Sequence, residues 1–222
     1  MSDSSARDSM LNAAALEIVE HGYAASSLAS IASRLGLTKG ALVRRFPVKE
    51  EIAWGVIDML RGVISNEYSR SLAVYPQSGI RSLIRFLLAV GSRAAREPQL
   101  AAAVVLFTDR ASPGFEVAEV LDDWTQAIHG FLDVARDAGE VDPATDLQEL
   151  AEYIFITNMG EAIFGARAHV PERTTRRLRF MRLTLRNAGV TDVDTLVDEV
   201  LESSGAGSIE QLPPRSGVRR VP

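Results

Sequence analysis

Apolar residues recur along most of this 222-residue chain at spacings of three and four, the repeat of a helix with one buried face. Leu11, Ala14, Ala15, Ile18 and Val19 form the first such stripe. His21-Gly22 predicts its end, because glycine readily takes the left-handed conformation that closes a helix. A short helix is predicted over about 28–35, stopped at Gly36. Thr38 is placed to cap a second one over about 39–46, which Pro47 breaks. A long helix then starts at Lys49, carries Ile52, Val56, Met59, Leu60, Val63 and Ile64 on one side, and is bounded by Pro76.

The same repeat predicts a helix over about 79–96 and another over 100–107, with Pro98 tolerated in its first turn. Ser112-Pro113-Gly114 reads as a loop, after which a helix runs to Ala138 and stops at Gly139. Asp142-Pro143 has the form of an N-cap and first-turn proline, opening a helix to about 168. Pro171 opens the next, to about 188, ended by Gly189. Val193, Leu196, Val197, Val200 and Leu201 predict a last amphipathic helix, and from Ser203 onward Gly, Ser, Pro and Arg predict a disordered tail. No useful β-alternation and no internal repeat is present. The expected fold is all-α, with nine or ten helices. A three-helix unit over 1–50 precedes a larger helical unit over 51–202 and a tail over 203–222.

Composition narrows the function. At 46% apolar and 24% charged the chain is an ordinary globular protein with enough length for a sizeable core. It has no cysteine, which excludes a disulfide framework, a thiolate metal site and a Cys nucleophile. No run approaches the roughly 18 apolar residues of a membrane span, and the polar start, Met1 to Ser5, does not read as a signal peptide. The cytoplasm is the expected location, with no membrane partner. A formal net charge of −5 excludes a basic protein that coats nucleic acid by bulk attraction.

The charge is unevenly placed, however. Residues 1–53 hold six basic and six acidic side chains, so the other 169 residues (18 basic, 23 acidic) carry the whole −5. Between Arg34 and Lys49 lie five basic residues, with Lys39, Arg44 and Arg45 between them, and no acidic one. That window coincides with two short helices joined by a glycine-containing turn, the shape of a helix-turn-helix. Ala32 is small where the helices cross, Gly36 lies four residues later at the turn, and Leu42 is placed to plug the angle between them. Ile31, Leu35 and Leu37 are expected to complete a local core. Phosphate neutralisation supplies most non-specific affinity for DNA, so cations on an element shaped to enter a major groove point to DNA binding.

Three runs carry a resemblance: Ala25-Ser26-Ser27-Leu28-Ala29-Ser30-Ile31-Ala32, Leu35-Gly36-Leu37-Thr38-Lys39-Gly40-Ala41-Leu42, and Phe46-Pro47-Val48-Lys49-Glu50-Glu51-Ile52. Over about residues 8–54 the chain resembles the N-terminal domain of TetR-family transcriptional regulators. The resemblance implies a homodimer that places its second short helices in successive major grooves of a palindromic double-stranded DNA operator. By position it implies that Ser27 contacts a phosphate and, with Leu28, opens the supporting helix. Thr38, Lys39, Gly40 and Ala41 start the reading helix, and Lys49 pairs with a phosphate. Where the family usually carries Tyr and often His, this chain has Val43-Arg44-Arg45. Val43 lacks the hydroxyl that would bond a phosphate. Arg44 and Arg45 supply charge-assisted contacts or read guanine bidentately.

The run Asp122-Asp123-Trp124-Thr125-Gln126, followed by Ala135 to Val141, is similar to the sensor region of γ-butyrolactone-receptor-type regulators. That likeness implies a helix-borne Trp124 lining an apolar pocket for a small-molecule inducer, a lactone or furan with an alkyl tail. Phe107, Ile128, Phe155, Met159 and Ile163 are apolar candidates for the same pocket, and Gln126, Thr157 or Asn158 for its polar end. The late helices, about 144–168 and 172–188, would form a four-helix bundle across the dimer axis, with Gly160, Ala162, Gly165 and Ala166 allowing close approach. Catalytic motifs are absent: His21, His129 and His169 fall on separate elements, and there is no HExxH, GxSxG, P-loop or GxGxxG. No enzyme activity, metal or cofactor is expected. The expected function is a ligand-released transcriptional repressor. The alternative is a ligand-binding or protein-interaction module of the same fold that reads no DNA.

Overall fold

A computed structural model describes residues 3–113, 117–167 and 173–204. Among these residues there are ten helices and no strand. They are α1 (Asp3–Ala25), α2 (Leu28–Arg34), α3 (Lys39–Val43), α4 (Lys49–Val74), α5 (Gly79–Arg96), α6 (Pro98–Thr108), α7 (Val117–Asp137), α8 (Leu147–Arg167), α9 (Arg173–Asn187) and α10 (Val193–Ser203). The all-α expectation holds, and most predicted helix ends lie within the uncertainty with which helix termini fray.

Four local expectations differ. Asp142-Pro143 does not open α8. Asp142 Oδ1 instead accepts from the Ala144 amide (2.8 Å) in a turn. The cap falls to Asp146, whose Oδ1 accepts from the amides of Gln148 and Glu149 at 3.0 and 3.1 Å. Asp146 wins because the apolar repeat Leu147, Leu150, Ala151, Ile154 begins beside it, and those four side chains are buried. Helix α3 stops at Val43 rather than Phe46, because the amides of both Arg45 and Phe46 turn back to the carbonyl of Leu42. Val19 is exposed, although Ala14, Ala15 and Ile18 beside it are buried. Ser203 belongs to α10, so the predicted tail starts too early; the rest of that tail, 205–222, and the proline start at Pro171 lie outside the described residues.

Two hydrophobic cores result. The smaller joins Leu11, Ala13 and Ala14 of α1 to Ile31, Ala32, Leu42, Phe46 and Ile52. The larger draws on α1 and on every helix from α4 to α10. Helices α1 and α4 run through both: Ala15, Ile18 and Tyr23 of α1, and Ala53, Val56 and Ile57 of α4, lie in the larger core. Any tilt of these two helices therefore moves both cores together.

Packing of the larger core depends on a close approach of α5 to α7. A Cβ added at Gly79 would lie 2.1 Å from the carbonyl oxygen of Phe131. Ser78 caps α5 by accepting from the Arg81 amide (3.2 Å), and Glu140 accepts from the Ser78 hydroxyl and the Ile80 amide. The start of α5 is thereby fixed to the segment after α7. The buried carboxylate of Glu67 is compensated by Arg93 (3.2 Å), Arg85 (3.5 Å) and Arg70 (3.6 Å), as a charge withdrawn from water requires.

Candidate nucleic-acid interface and sensor region

The two short helices are built by their caps. Ser27 Oγ accepts from the Ser30 amide and Ser30 Oγ accepts from the Ser27 amide, both at 3.0 Å, a reciprocal box that satisfies two donors at the start of α2. Thr38 Oγ1 accepts from the Ala41 amide (3.2 Å) at the start of α3. Between them Gly36 has φ 66°, a left-handed conformation that suits glycine. Ala32 and Leu42 are fully buried where the helices cross, as expected. Leu37 is not part of that core: it is 40% exposed, and Phe46 and Ile52 fill the space instead.

Thr38, Lys39 and Gly40 are exposed in one run, with Arg44 exposed one turn further on. Lys39 and Arg44 have no ion-pair partner among the described residues. Ser27 is exposed, while Leu28, Ala41 and Arg45 are half-buried, with Leu28 packed on the small core. The α3 end of the motif thus presents cations, a small residue that permits close approach, and a hydroxyl.

Arg34 and Lys49, at the two ends of this basic window, are engaged within the protein. Arg34 Nε lies 2.8 Å from Glu17 Oε2, and its Nη2 meets Glu20. These contacts tie α2 to α1 and hold the Glu20 carboxyl below its ordinary pKa. Lys49 Nζ donates to the carbonyl oxygens of Tyr23 (2.8 Å) and Ser26 (3.0 Å) and sits 4.0 Å over the Tyr23 ring. Burial pushes its pKa down, against the attraction of Asp109. The acidic partners of Arg34 lie on another helix, so a count along the window overstates the free charge.

In the sensor region, Trp124 and Phe155 meet edge to face, with centroids 5.6 Å apart. The Trp124 Nε1 is buried and has no hydrogen-bond partner among the described residues. Ile128, one turn along α7, is fully buried; Phe107 and Met159 pack half-buried on the same core, and Ile163 is half-buried two turns beyond Phe155. Two hollows lie nearby, and none of these six residues lines either. One, of about 10 Å³, lies among Leu83, Ile154 and Met181 and is barely large enough for a water. The other is an open cleft of about 440 Å³ between α4 and α7, lined by Arg61, Ile64, Ser65, Tyr68, Asp123, Gln126 and Ala127. Arg61 and Asp123 pair across it at 2.8 Å. Gln126 faces that cleft, whereas Asn158 Nδ2 is used on the carbonyl of Ile154.

On α8 and α9, Tyr153, Ile156, Phe164 and Leu183 are exposed, Ile156 by 66%. A Cβ added at Gly160 would meet nothing within 4 Å, and Ala162 is half-buried. The side chains of Gly165 and Ala166 lie outside the described residues. His21 and His129 pair with acids on their own helices, and His169 lies outside the described residues.

Residues 10–53 match the family model of bacterial regulatory proteins, tetR family. The N-terminal domain is a TetR-family domain. No curated protein sequence matches the chain. Among solved structures, it is similar to a γ-butyrolactone receptor described as ArpA-like (20% identity, 90% of this chain and 98% of that one, TM-score 0.73). It is also similar to CprB from Streptomyces coelicolor in complex with its operator sequence (20%, 94% and 98%, 0.71). A third likeness is to TylP, a TetR regulator from Streptomyces fradiae (20%, 95% and 98%, 0.69). At these identities the likeness establishes the fold, and it spans nearly the whole length of each of these three chains.

Proposed function

We propose that this chain is a homodimeric repressor that binds a palindromic operator and leaves it when a small signalling molecule of the γ-butyrolactone or furan type binds. The observation that carries DNA reading is the exposed run on α3. Thr38, Lys39 and Gly40 lie together on a helix fixed by a side-chain cap, with Arg44 a turn away, and no acid of the described residues neutralises either cation. Ser27, Leu28, Ala41, Arg45 and Lys49 complete the proposed DNA-contact set, with Ser27, Leu28 and Lys49 placing the helix more than reading bases. That CprB is known in complex with its operator supports the reading.

The inducer site is proposed around Trp124, with Phe107, Ile128, Phe155, Met159 and Ile163. A buried indole N–H without an acceptor is costly, and a ligand carbonyl would supply the missing acceptor. The ArpA-like receptor is named for γ-butyrolactone, which supports that ligand class. The exposed apolar residues of α8 and α9 suit burial against a second copy. We place the boundary between reading and sensing units at about residue 50, with the sensing and dimerising unit running to the end of α10. Among the described residues no helix is long and apolar enough to cross a membrane, and the proposed location is the cytoplasm.

The test is a mobility-shift titration at several salt concentrations, with duplexes from the region upstream of the chain's own gene. Preferential binding over random DNA, with log affinity falling linearly in log salt, is the expected result. Equal affinity for both duplexes would overturn DNA reading. For the ligand, Trp124 fluorescence is expected to change with an alkyl lactone or furan and not with an unrelated apolar molecule.

A further inference from the structure

We propose that Asp109, at the end of α6, is a positioning residue for operator reading: it holds the α1–α2 turn that sets the angle of the helix-turn-helix. The inference rests on the DNA-reading function proposed above.

Asp109 lies in the sensing unit, 86 residues from the backbone it grips. One carboxylate oxygen, Oδ2, accepts from the amides of Tyr23 (2.9 Å) and Ala24 (3.4 Å). The other, Oδ1, accepts from the amide of Ala111 (3.0 Å), and the Asp109 amide donates to Val105 (2.9 Å), which fixes the side chain to its own helix end. Lys49 holds the carbonyl side of the same turn through Tyr23 and Ser26. The turn is therefore gripped on its amides from α6 and on its carbonyls from α4.

Tyr23 is anchored in the larger core, and the Ser26 amide closes the turn on the Tyr23 carbonyl (3.2 Å). At Gly22 α1 departs from helical geometry, with φ 80° and ψ 165°, so the direction of the chain after α1 is set by what binds residues 23–26. Ser26 is buried and donates to the Gly22 carbonyl (2.7 Å). The next residue, Ser27, caps α2, and α3 is locked to α2 through Ala32 and Leu42. A shift of Asp109 with the end of α6 thus reaches α3 through one turn and one cap. Three backbone amides that donate to this carboxylate, together with the charge of the nearby Lys49 ammonium, hold its pKa below the ordinary value, the Ala111 amide contributing most.

The experiment uses the full chain and a duplex that the chain itself selects from a randomised library, beside a random duplex of equal length. Affinities are measured for wild type, Asp109→Ala and Asp109→Asn. The alanine variant is expected to lose about tenfold or more on the selected duplex, the effect of one lost charge-assisted hydrogen bond. On random DNA both its affinity and its salt slope are expected to stay within about twofold of wild type, because no phosphate-facing cation is touched. Asn has a single side-chain oxygen, enough for the Tyr23 and Ala24 amides or for Ala111, and its loss is expected to fall between.

A folded Asp109→Ala chain that keeps full selectivity overturns the proposal. So does a loss equal on both duplexes, which is what mere destabilisation would give. If the alanine chain does not fold, the asparagine chain is judged by the same two criteria. A wild-type chain that prefers no duplex removes the DNA-reading function itself, and the wild-type arm alone reports that outcome.

Discussion

The ammonium of Lys49 lies 2.8 Å from the carbonyl oxygen of Tyr23 and 4.0 Å over the ring of the same residue. One cation thus grips both the backbone and the side chain at the end of α1, and a second bond runs to Ser26. Removing it takes one donor from each of two carbonyls, leaving Tyr23 only the Ser26 amide, and uncovers an aromatic face. Lys49→Met, which keeps the aliphatic stem, is expected to lower stability by about 1–3 kcal/mol. Urea unfolding at neutral pH would measure it, and a change within error would show that the ammonium grips nothing.

The acid limb of stability tests the Asp109 contacts. Its pKa is lowered in the folded chain relative to the ordinary 3.8, chiefly by the Ala111 amide, then by those of Ala24 and Tyr23 and by Lys49. The folded state therefore binds the proton less tightly than the unfolded chain. Its contribution is complete above about pH 5, declines as pH falls through the ordinary value, and is gone once pH drops below the folded one. Wild type minus Asp109→Asn, unfolded in urea at stepped pH, should show a stability difference that shrinks over that acid range. A difference constant from neutral pH down to about pH 3 would contradict it.

Gly79 tests the approach of α5 to α7. A methyl group there would lie 2.1 Å from the Phe131 carbonyl and 2.3 Å from the Ala135 amide nitrogen, both backbone atoms. Neither helix can yield alone, because Glu140 fixes the start of α5 to the segment after α7. Overpacking of this kind costs about 1–3 kcal/mol or more. Gly79→Ala should lower the melting temperature clearly, whereas Gly160→Ala, which meets nothing within 4 Å, should not.

Much of the fold was legible in the sequence because helices announce themselves through local spacing. The buried positions Leu11, Ala14, Ile18, Ile52, Val56 and Leu60 follow directly from a period of three to four. The cap at Thr38 was legible for the same reason, since its partner lies three residues away, whereas the Ser27–Ser30 box has the same spacing and went unread. Misreadings arose where local signals competed or where the partner is remote. Asp142-Pro143 and Asp146 are both acceptable starts, and only the buried repeat chooses between them. Arg34 and Lys49 read as free cations because Glu17, Glu20 and the Tyr23 carbonyl come from α1. The grip of Asp109 on Tyr23 leaves no trace in local pattern, since 86 residues separate them.

The apolar face of α8 and α9 tests the proposed dimer. Ile156, 66% exposed, and Phe164 and Leu183 project apolar surface that water would otherwise cover. A glutamate at a buried interface position would place an unpaired charge against its own copy. Ile156→Glu should shift the chain from dimer toward monomer in sedimentation velocity with little change in helical circular dichroism. Operator affinity should fall with it, since two linked reading helices bind far better than one. A variant that stays dimeric would move the interface elsewhere.

Trp124 separates stability from sensing. Its indole N–H is buried without an acceptor among the described residues, while its ring meets Phe155 at 5.6 Å. Trp124→Phe retains an aromatic edge contact and removes the orphaned donor, trading lost packing area against relief of an unsatisfied polar group. Stability should therefore change by less than about 1 kcal/mol, whereas Phe155→Ala, which empties a buried site, should cost about 3–5 kcal/mol. If the N–H awaits a ligand acceptor, Trp124→Phe should bind DNA as wild type does yet need a much higher lactone or furan concentration for release. A mobility-shift titration with both ligand and operator present reads the two quantities together. Unchanged release by Trp124→Phe would mean that the inducer takes its hydrogen bond elsewhere, with Gln126 in the α4–α7 cleft the next donor to test.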